Sequence, residues 1–523
     1  MTIVTTPARP LDPDTLSLEA IGAGALRGRP VTVLGLARSG LALARFLADA
    51  GARVTIYDGR SADELRPAIE ALEGRPVTLA LGATVDPAST WAGAELVATS
   101  PSINPDYPTT EPRLRAALRG LVDARATGDP TAPALLSEAD LFLRLCPAPT
   151  IGVTGTKGKT TTASLIAALL AADPGHPVIL GGNIGVPLVE RLPEITAAHR
   201  VVDELSELQL PTLSRGTTVA VYTNVTVDHL DRHGTLEAYR RVKRRMAELV
   251  DPSGALVLNA EDPVVASYAG LGTARSVLYR REPPEPGGVG VADGWIVAAG
   301  VERLSVAGGG VAATGSDGRI MPVAELAIPG AHNVSNALAA IGVALLFGIA
   351  PDAIRRAAAA FRGVEHRLEV VATIEGVRFI NDSQGTQPDA VAAALRAFDP
   401  PVVLIAGGRA KGLDIAALAP VVAERAVAAV LIGESGPDLE ASFRAAGLAR
   451  TERAADLETA VRRADAIARE ALAARRQGDA PATVLLSPAA ASFDMFADYA
   501  ARGRAFKAAV AALAAERTLR GDQ

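Results

Sequence analysis

The stretch Thr150-Ile-Gly-Val-Thr-Gly-Thr-Lys-Gly-Lys-Thr-Thr161 decides the fold class of this chain. Thr150 to Val153 is an apolar run that predicts a buried strand, and the apolar residues after Thr161 predict a helix. A glycine-rich turn between a strand and a helix points main-chain N–H groups and the helix dipole at one place, which favours phosphate. Lys159 adds a cation for the outer phosphates, and Thr160 or Thr161 offers a hydroxyl to Mg²⁺.

Length and composition limit the class of protein and the kinds of partner and site that this chain can have. The chain has 523 residues, with 52 Lys and Arg against 58 Asp and Glu, so its formal net charge is −6. The length predicts about three domains, and the mild acidity argues against a nucleic-acid partner. Cys146 is the only cysteine, which excludes an intramolecular disulfide and a Cys-rich metal site. The first thirty residues contain no apolar signal core, and no apolar stretch reaches the roughly 20 residues that span a bilayer. We therefore expect a cytoplasmic protein without membrane insertion. We also expect a monomer, although none of these observations bears on the oligomeric state.

A strand–turn–helix–strand unit precedes the phosphate loop. Strand Val31–Leu34 leads into the turn Gly35-Leu-Ala-Arg-Ser-Gly40, and a second strand ends at Asp58. The glycine spacing does not match the dinucleotide fingerprint, so a dehydrogenase is disfavoured. A third strand runs into the loop Ser100-Pro-Ser-Ile103, at the kind of strand end where open α/β sheets bind ligands. Residues 120–133 are predicted to be a loop that carries an insertion.

Alternating strands and helices continue after the phosphate loop, and they predict an α/β chain of three domains. The Gly- and Pro-rich residues 280–320 predict antiparallel hairpins, and a long Ala-rich helix follows from Asn333 to Phe347. Five further strands predict a second, mainly parallel sheet. We place the domains at 1–147, with 1–29 as an extension, 148–329 and 330–523. The first is Rossmann-like, the second has a P-loop-type ATPase sheet, and the third is again Rossmann-like.

The loop Thr154-Gly-Thr-Lys-Gly-Lys-Thr-Thr161 resembles the ATP loop of the Mur ligase family, the amide-forming enzymes of peptidoglycan precursor synthesis, and also that of folylpolyglutamate synthases. The resemblance continues in order from about Val31 to about Lys507. The segments Gly330–Asn336 and His366-Arg367 resemble two further family motifs. The resemblance implies an ATP site formed by Gly155, Thr156, Lys157, Gly158, Lys159, Thr160, Thr161, Asn333, Arg367 and Asp382.

The family pattern also implies a Mg²⁺ site. Residues 203–210 resemble the segment that contains a Mg²⁺ ligand, here Glu204, although Glu207 replaces a serine. Residues 224–233 resemble the segment that implies His229 as a ligand or its neighbour; alone, His229 would be a base, a softer-metal ligand or a packed histidine. Lys243 falls at the position of a carbamylated lysine, where the residues alone predict a solvated basic helix face. The implied metal ligands are Thr160, Glu204, His229 and the Lys243 carbamate, and the implied catalytic residues are Lys159, His229 and Lys243.

Other motifs resemble the D-glutamate-adding branch of the family. The implied amino-acid contacts are Thr386, Lys411, Ser492, Phe493 and Tyr499, with Gln384 in place of a lysine. The implied contacts to a uridine-nucleotide substrate are Gly35, Leu36, Ala37, Ser39, Asp58, Ser100 and Asn183, with Ser102 in place of a glycine.

The resemblance implies an ATP-dependent amide ligase that adds D-glutamate to UDP-N-acetylmuramoyl-L-alanine through an acyl phosphate. Two alternatives stay open. One is a Mur-type or folylpolyglutamate-type ligase with a different amino acid, and the other is a Mur-ligase-like subunit that does not ligate. The substitutions Glu207, Gln384 and Ser102 keep the second alternative open, whereas the joint presence of the loop, Glu204, His229 and Lys243 disfavours it.

Overall fold

The computed structural model describes residues 10–227, 230–328, 330–409, 415–474, 481–492 and 494–521. The chain forms two compact units, Met1–Phe361 and Arg362–Gln523. The first unit contains two sheets and the second contains one. No helix in the described ranges combines the length and the hydropathy that crossing a membrane would require.

The first sheet is entirely parallel, with the strand order β3-β2-β1-β4-β5. The turn after its central strand is tight, because a Cβ atom on Gly40 would lie 1.9 Å from the carbonyl oxygen of Gly35. The strands are β1 Pro30–Leu34, β2 Arg53–Asp58, β3 Val77–Leu81, β4 Leu96–Thr99 and β5 Ala134–Ser137. The helices are α1 Leu18–Gly22, α2 Arg38–Asp49, α3 Arg66–Glu70, α4 Pro112–Ala126 and α5 Glu138–Leu145.

Helix α4 corrects one prediction. The predicted loop at 120–133 was wrong for residues 120–126, which complete this helix. Gly120 suggested a loop, but the Leu, Ala and Arg residues around it favour helix, and Leu118 and Leu121 anchor it in the core. The segment after Ala126 is irregular, as the sequence predicts.

The second sheet has nine strands in the order β14-β13-β12-β11-β10-β9-β6-β8-β7. Strand β6, which leads into the phosphate loop, is buried throughout and lies between β9 and β8, parallel to both. The last three strands pair antiparallel, which confirms the predicted hairpins. The strands are β6 Thr150–Thr154, β7 Val178–Gly182, β8 Arg200–Glu204, β9 Val219–Tyr222, β10 Ala255–Asn259, β11 Arg275–Tyr279, β12 Val289–Ala292, β13 Trp295–Ala298 and β14 Arg319–Pro322.

Helices accompany the second sheet in this part of the chain. They are α6 Lys159–Leu170, α7 Leu230–His233, α8 Leu236–Leu249, α9 Pro263–Ala266, α10 Ala331–Leu346 and α11 Pro351–Ala360. Helix α10 is buried from Asn336 to Leu346 and shares a hydrophobic core with α6. Both α10 and α11 therefore lie in the first unit, whereas the sequence-based division placed them in the third domain.

The second unit is built on a six-stranded sheet with the order β15-β16-β20-β17-β18-β19. Strand β15 is antiparallel to β16, and the remaining pairs are parallel. The strands are β15 Glu369–Ile374, β16 Val377–Asn381, β17 Val402–Gly407, β18 Ala428–Ile432, β19 Thr451–Arg453 and β20 Ala482–Leu486. The helices are α12 Pro388–Arg396, α13 Leu418–Arg425, α14 Gly436–Ala445, α15 Leu457–Ala473 and α16 Tyr499–Gly521. All five predicted strands are present. The short β19 was missed because Thr-Glu-Arg carries no apolar pattern.

Candidate active site

The phosphate loop connects the buried strand β6 to the first turn of α6. Gly155 has a φ of 149° and Gly158 a φ of 86°, values that side chains rarely tolerate. A Cβ atom on Gly155 would also lie 1.9 Å from the hydroxyl of Thr223. The loop therefore requires glycine at both positions, and a loop of this kind at a helix N-terminus directs main-chain N–H groups to a place that favours phosphate.

Asn224 holds this loop in place from the neighbouring strand end. Its side-chain oxygen accepts from the main-chain N–H of Lys157 at 2.9 Å, and its amide donates to the carbonyl of Lys157 at 3.0 Å. Its main-chain carbonyl accepts from the N–H of Thr156 at 2.8 Å. These bonds fix the loop conformation before any nucleotide arrives. This role of Asn224 could not be predicted from sequence, because the contact joins segments nearly seventy residues apart.

Two lysines extend toward the loop from different helices. The Nζ atom of Lys159 donates to the carbonyls of Gly155 and Thr156, both at 3.0 Å. The Nζ atom of Lys243, in α8, donates to the Thr154 hydroxyl and to the Gly155 carbonyl, both at 3.1 Å. Lys243 is fully buried, so the solvated helix face that its neighbours indicated is wrong at this residue. Both predicted catalytic lysines therefore lie at the phosphate loop.

The start of α10 lies on the other side of the loop. Asn336 accepts from the Thr162 hydroxyl at 3.1 Å and donates to Asn333 at 3.1 Å. A Cβ atom on Gly158 would approach the Asn336 side-chain oxygen to 2.7 Å. Asn336 is thus a structural neighbour of the loop that the sequence interpretation left without a role, although it closes the Gly330–Asn336 motif. Thr160 is buried and Thr161 is half-buried in the first turn of α6.

A cavity of about 740 Å³ opens beside the loop. Its size falls in the range of small-molecule and nucleotide sites. Asp262 is fixed at its wall, because its carboxylate accepts from the N–H of Val225 at 2.7 Å. The lining includes Lys157, Gly158, Asn224, Asn259, Asp262, Arg281, His332 and Asn336. The cavity can receive the nucleoside of a nucleotide whose phosphates reach the loop.

Strand β8 ends in two buried carboxylates, Asp203 and Glu204. One oxygen of Glu204 accepts from the Asn183 side-chain amide at 3.1 Å, and the other is buried with no hydrogen-bond partner among the described residues. Burial, followed by the nearby charges of Glu138 and Glu204, raises the pKa of Asp203 well above its ordinary value. An unpartnered buried carboxylate oxygen next to a phosphate loop suits a hard cation such as Mg²⁺.

Other predicted metal ligands are less well defined. His229 lies outside the described residues. Within the described part of the chain, no group of three or more His, Cys, Asp or Glu side chains is arranged to hold a metal. Thr160 follows the loop directly and lies in the first turn of α6. The unpartnered Glu204 oxygen can therefore serve as one ligand of Mg²⁺. The complete ligand set stays a prediction.

Glu207, which departs from the family pattern, forms an ion pair. Its carboxylate accepts from Arg232 at 2.6 Å, and its main-chain carbonyl accepts from the Tyr107 hydroxyl at 3.1 Å. Burial, and next the charge of Glu207, raises the pKa of Tyr107 above its ordinary range. Glu207 therefore connects the loop after β4 to α7. Neither of these two contacts involves the phosphate loop.

A second cavity, of about 670 Å³, lies at the carboxyl edge of the first sheet. Gly35, Asp58, Arg60, Ser102 and Arg232 are among its lining residues. The Asp58 carboxylate accepts from the N–H of Leu36 at 2.9 Å and from the Arg60 guanidinium at 2.7 Å. Burial opposes the charge on Asp58, but the hydrogen bonds from Arg60 and Leu36 outweigh it and lower the pKa. The site therefore presents an ionised carboxylate that can accept an N–H of a ligand.

The remaining residues predicted to contact the uridine nucleotide surround this edge, with one exception. Ala37 precedes α2 and Ser39 lies in its first turn, while Ser100 is buried with its N–H directed at the Leu34 carbonyl at 3.4 Å. Asn183 is instead next to Glu204. Arg38 connects the two regions, because its guanidinium donates to the carbonyl of Gly185 at 3.1 Å.

In the second unit, predicted ligand residues gather at the carboxyl ends of β16 and β20. Asp382 accepts from the Ser487 hydroxyl at 2.6 Å and from the N–H of Leu368 at 3.2 Å. Burial raises its pKa to about 6. Thr386 is half-buried in the loop after β16, and Ser492 is buried in the segment after β20. Arg367 and Tyr499 are exposed. Lys411 and Phe493 lie outside the described residues.

Comparison with known proteins agrees with this architecture. Residues 153–344 match the Mur ligase middle domain, and residues 366–490 match the domain described as Mur ligase, glutamate ligase domain. The UDP-N-acetylmuramoylalanine–D-glutamate ligase of Symbiobacterium thermophilum is 39% identical over 494 residues, which is 94% of this chain and 100% of that protein. The protein of the same name from Roseiflexus sp. is 38% identical, over 92% of this chain and 98% of its own length. The solved UDP-N-acetylmuramate-alanine ligase of Thermotoga maritima aligns with a TM-score of 0.49 at 19% identity, covering 91% of this chain and 98% of that one.

Proposed function

This chain belongs to the Mur ligase family, and from that membership we propose that it is an ATP-dependent ligase that adds D-glutamate to UDP-N-acetylmuramoyl-L-alanine in peptidoglycan precursor synthesis. The observation that carries the proposal is the similarity, over 94% of the chain, to a ligase whose name contains both UDP-N-acetylmuramoylalanine and D-glutamate. The phosphate loop, the adjacent cavity, the half-buried Lys159 and the buried Lys243 support it, because an amide ligase needs a way to activate a carboxylate.

The chemistry starts from an unreactive carboxylate. Hydroxide is a poor leaving group, so the alanyl carboxylate is first phosphorylated by ATP, which gives an acyl phosphate and ADP. We propose that ATP is held by Gly155, Thr156, Lys157, Gly158, Lys159, Thr160, Thr161, Asn333, Arg367 and Asp382. Negative charge shifts between phosphate oxygens as the phosphoryl group moves, and the Lys159 ammonium, already held at the loop, offsets it.

We propose that Thr160, Glu204, His229 and a carbamate on Lys243 hold Mg²⁺. When bound, this ion neutralises phosphate charge and orients the phosphoryl group. The burial of Lys243 beside the phosphate loop supports the carbamate, because reaction of its neutral amine with CO₂ would replace a buried cation by an anion that a metal can bind. His229 and Lys243 thereby join Lys159 as the proposed catalytic residues.

The second step forms the amide. The amine of D-glutamate attacks the acyl carbon, the tetrahedral intermediate expels inorganic phosphate, and the amine loses a proton. We propose that Thr386, Lys411, Ser492, Phe493 and Tyr499 hold D-glutamate. The uridine nucleotide would contact Gly35, Leu36, Ala37, Ser39, Asp58, Ser100 and Asn183. Cytoplasmic action as a monomer is part of the same proposal, since ATP and nucleotide-linked precursors are intracellular substrates.

An amino-acid panel tests this function. Purified protein is given ATP, Mg²⁺, UDP-N-acetylmuramoyl-L-alanine and one amino acid at a time, and phosphate release is followed. We expect release with D-glutamate and little with L-glutamate, L-alanine or diaminopimelate. Release with another amino acid would identify a different ligase, and no release with any of them would favour a subunit that does not ligate.

A further inference from the structure

Among the described residues of the second unit, Arg502 is the most completely buried cation, and none of the steps above uses it. It lies in the first turns of α16 and is 1% exposed. Its Nε donates to the Ser383 hydroxyl at 3.0 Å, and its two terminal nitrogens donate to the carbonyl of Ser383 at 3.0 Å and the carbonyl of Ala490 at 3.2 Å. One side chain therefore joins the loop after β16 to the segment after β20.

A third loop lies against the same guanidinium. A Cβ atom on Gly408 would lie 3.2 Å from an Arg502 nitrogen and 2.2 Å from the carbonyl of Ala491. The next residue, Arg409, donates its N–H to that carbonyl at 2.9 Å. The end of β17 is thus packed between Arg502 and the segment after β20. Arg502 thus bonds the segments that carry Thr386 and Ser492, and it lies against Gly408 at the end of β17.

The helix itself is fixed by further contacts. The Ser383 hydroxyl that accepts from Arg502 donates to the carbonyl of Tyr499 at 2.7 Å. The Asn381 amide donates toward the carbonyl of Gly503 at 3.4 Å, and the His366 ring fills the space that a Gly503 side chain would need. Arg502 is therefore held in place from both sides and cannot swing away from the loops without moving α16.

Packing alone does not explain why a charged arginine is buried at this position. The acceptors of these three hydrogen bonds are two neutral carbonyls and a hydroxyl, so none of them offsets the charge of the guanidinium. Burial lowers the pKa of Arg502 to about 10, while the charge of Asp494 acts in the opposite direction. An apolar side chain would fill the same volume without this cost. Only a planar guanidinium offers donors in several fixed directions at once, which suits acceptors on different loops.

We infer that Arg502 is a positioning residue for the amino-acid substrate: its three-way contact sets Thr386 and Ser492 at the spacing that the amino acid requires. The inference rests on the proposed function, because it takes those two residues as amino-acid contacts. Arg502 does not touch the substrate. Pre-organisation of a binding shell by a buried supporting group is a general requirement for precise sites.

Kinetics of three variants test this role. Arg502→Lys keeps the positive charge but loses the planar set of guanidinium donors. Ser383→Ala removes one hydrogen-bond acceptor of Arg502. Arg504→Met is the control, because it changes an exposed arginine two residues further along α16. For Arg502→Lys we expect KM for D-glutamate to rise at least about tenfold, with KM for ATP and for the uridine nucleotide within about twofold of wild type. For Ser383→Ala we expect a rise of about threefold, and for Arg504→Met no change. Thermal melting reports whether each variant folds.

Each outcome decides the inference. An unchanged KM for D-glutamate in a folded Arg502→Lys protein overturns it, and so does a parallel rise of all three KM values, which a purely structural role would produce. If Arg502→Lys does not fold, Ser383→Ala decides alone, and an unchanged KM for D-glutamate then overturns the inference. If wild type uses another amino acid, the proposed function fails, and the same comparison is made with the KM of that amino acid.

Discussion

Lys159 and Lys243 donate to one and the same acceptor, the main-chain carbonyl of Gly155, at 3.0 and 3.1 Å. One lysine comes from the helix that follows the loop and the other from α8, more than eighty residues later. The shared carbonyl places both side-chain nitrogens at the phosphate loop. Two positive groups so close together attract anions strongly, and conversion of one of them to a carbamate would instead create a cation site there.

Replacement of Lys159 by alanine should remove turnover without unfolding the protein. Its ammonium offsets charge on the moving phosphoryl group, so we expect kcat to fall by at least about a hundredfold. Lys157→Ala is the matched control, because Lys157 bonds Asn224 through its main chain and its side chain is exposed. The control should lose less than about tenfold. Equal losses in the two variants would contradict the role of Lys159.

Lys243→Ala should be inactive, because the proposed anion on this side chain is lost. Lys243→Arg should also be inactive, since arginine restores a cation but forms no carbamate. Short carboxylates such as formate or acetate should restore part of the activity to Lys243→Ala and none to Lys159→Ala, measured as phosphate release. Full activity of either Lys243 variant would remove the carbamate proposal.

Stability of the second unit should depend on pH through Asp382. Burial raises its pKa from 3.8 to about 6. The folded protein therefore keeps a proton that the unfolded chain has already released, so the contribution of Asp382 is fully present below about pH 4 and is lost as the pH rises through about 6. A pKa change of this size corresponds to about 3 kcal/mol at most.

Urea denaturation measures this effect. Between about pH 5 and about pH 7.5, wild type should lose stability relative to Asp382→Asn, which carries no titrating group. Asp399→Asn, at an exposed carboxylate in the same unit, should follow wild type. If the difference between wild type and Asp382→Asn is the same at both pH values, Asp382 does not release a proton in the folded protein between them, which would contradict a pKa of about 6.

Gly120→Ala should stabilise the first unit by about 1 kcal/mol, because Gly120 is exposed inside α4 and a Cβ atom there meets nothing within 4 Å. Gly128→Ala is the informative contrast. It has the same free space but a φ of 78°, so it should destabilise the protein by about 1 kcal/mol. Denaturation midpoints compare the two. A destabilised Gly120→Ala protein would argue that residues 120–126 are not helical.

The phosphate loop could be predicted because its chemistry is local. The strand, the two glycines and Lys159 follow one another, and their spacing alone determines where the N–H groups point. Asn224 and Asn336 could not be predicted in the same way, because their contacts with the loop depend on how distant strands and helices pack. Lys243 shows the limit most clearly. Its neighbours predict a solvated helix face, and only family resemblance indicated that this lysine lies at the site.

The edges of the elements and domains were less predictable. Gly120 suggested a loop although the core contacts of Leu118 and Leu121 keep the helix intact. The Ala-rich helix after Gly330 was placed in the third domain because it follows a break in the sequence. Its nearly complete burial against α6 instead includes it in the first unit. The burial of Arg502 could not be predicted at all, because arginine is common in polar helices and only the packed structure shows what surrounds it.

The proposed mechanism requires that the alanyl carboxylate is phosphorylated and that the acyl phosphate is then captured by D-glutamate. The most direct measurement uses UDP-N-acetylmuramoyl-L-alanine with a heavy-oxygen label in that carboxylate, and mass spectrometry of the released phosphate. If the reaction proceeds through an acyl phosphate, one labelled oxygen moves into inorganic phosphate in amounts equal to the amide formed, and only when D-glutamate is present. Release of unlabelled phosphate, or amide formation without transfer of the label, would contradict it.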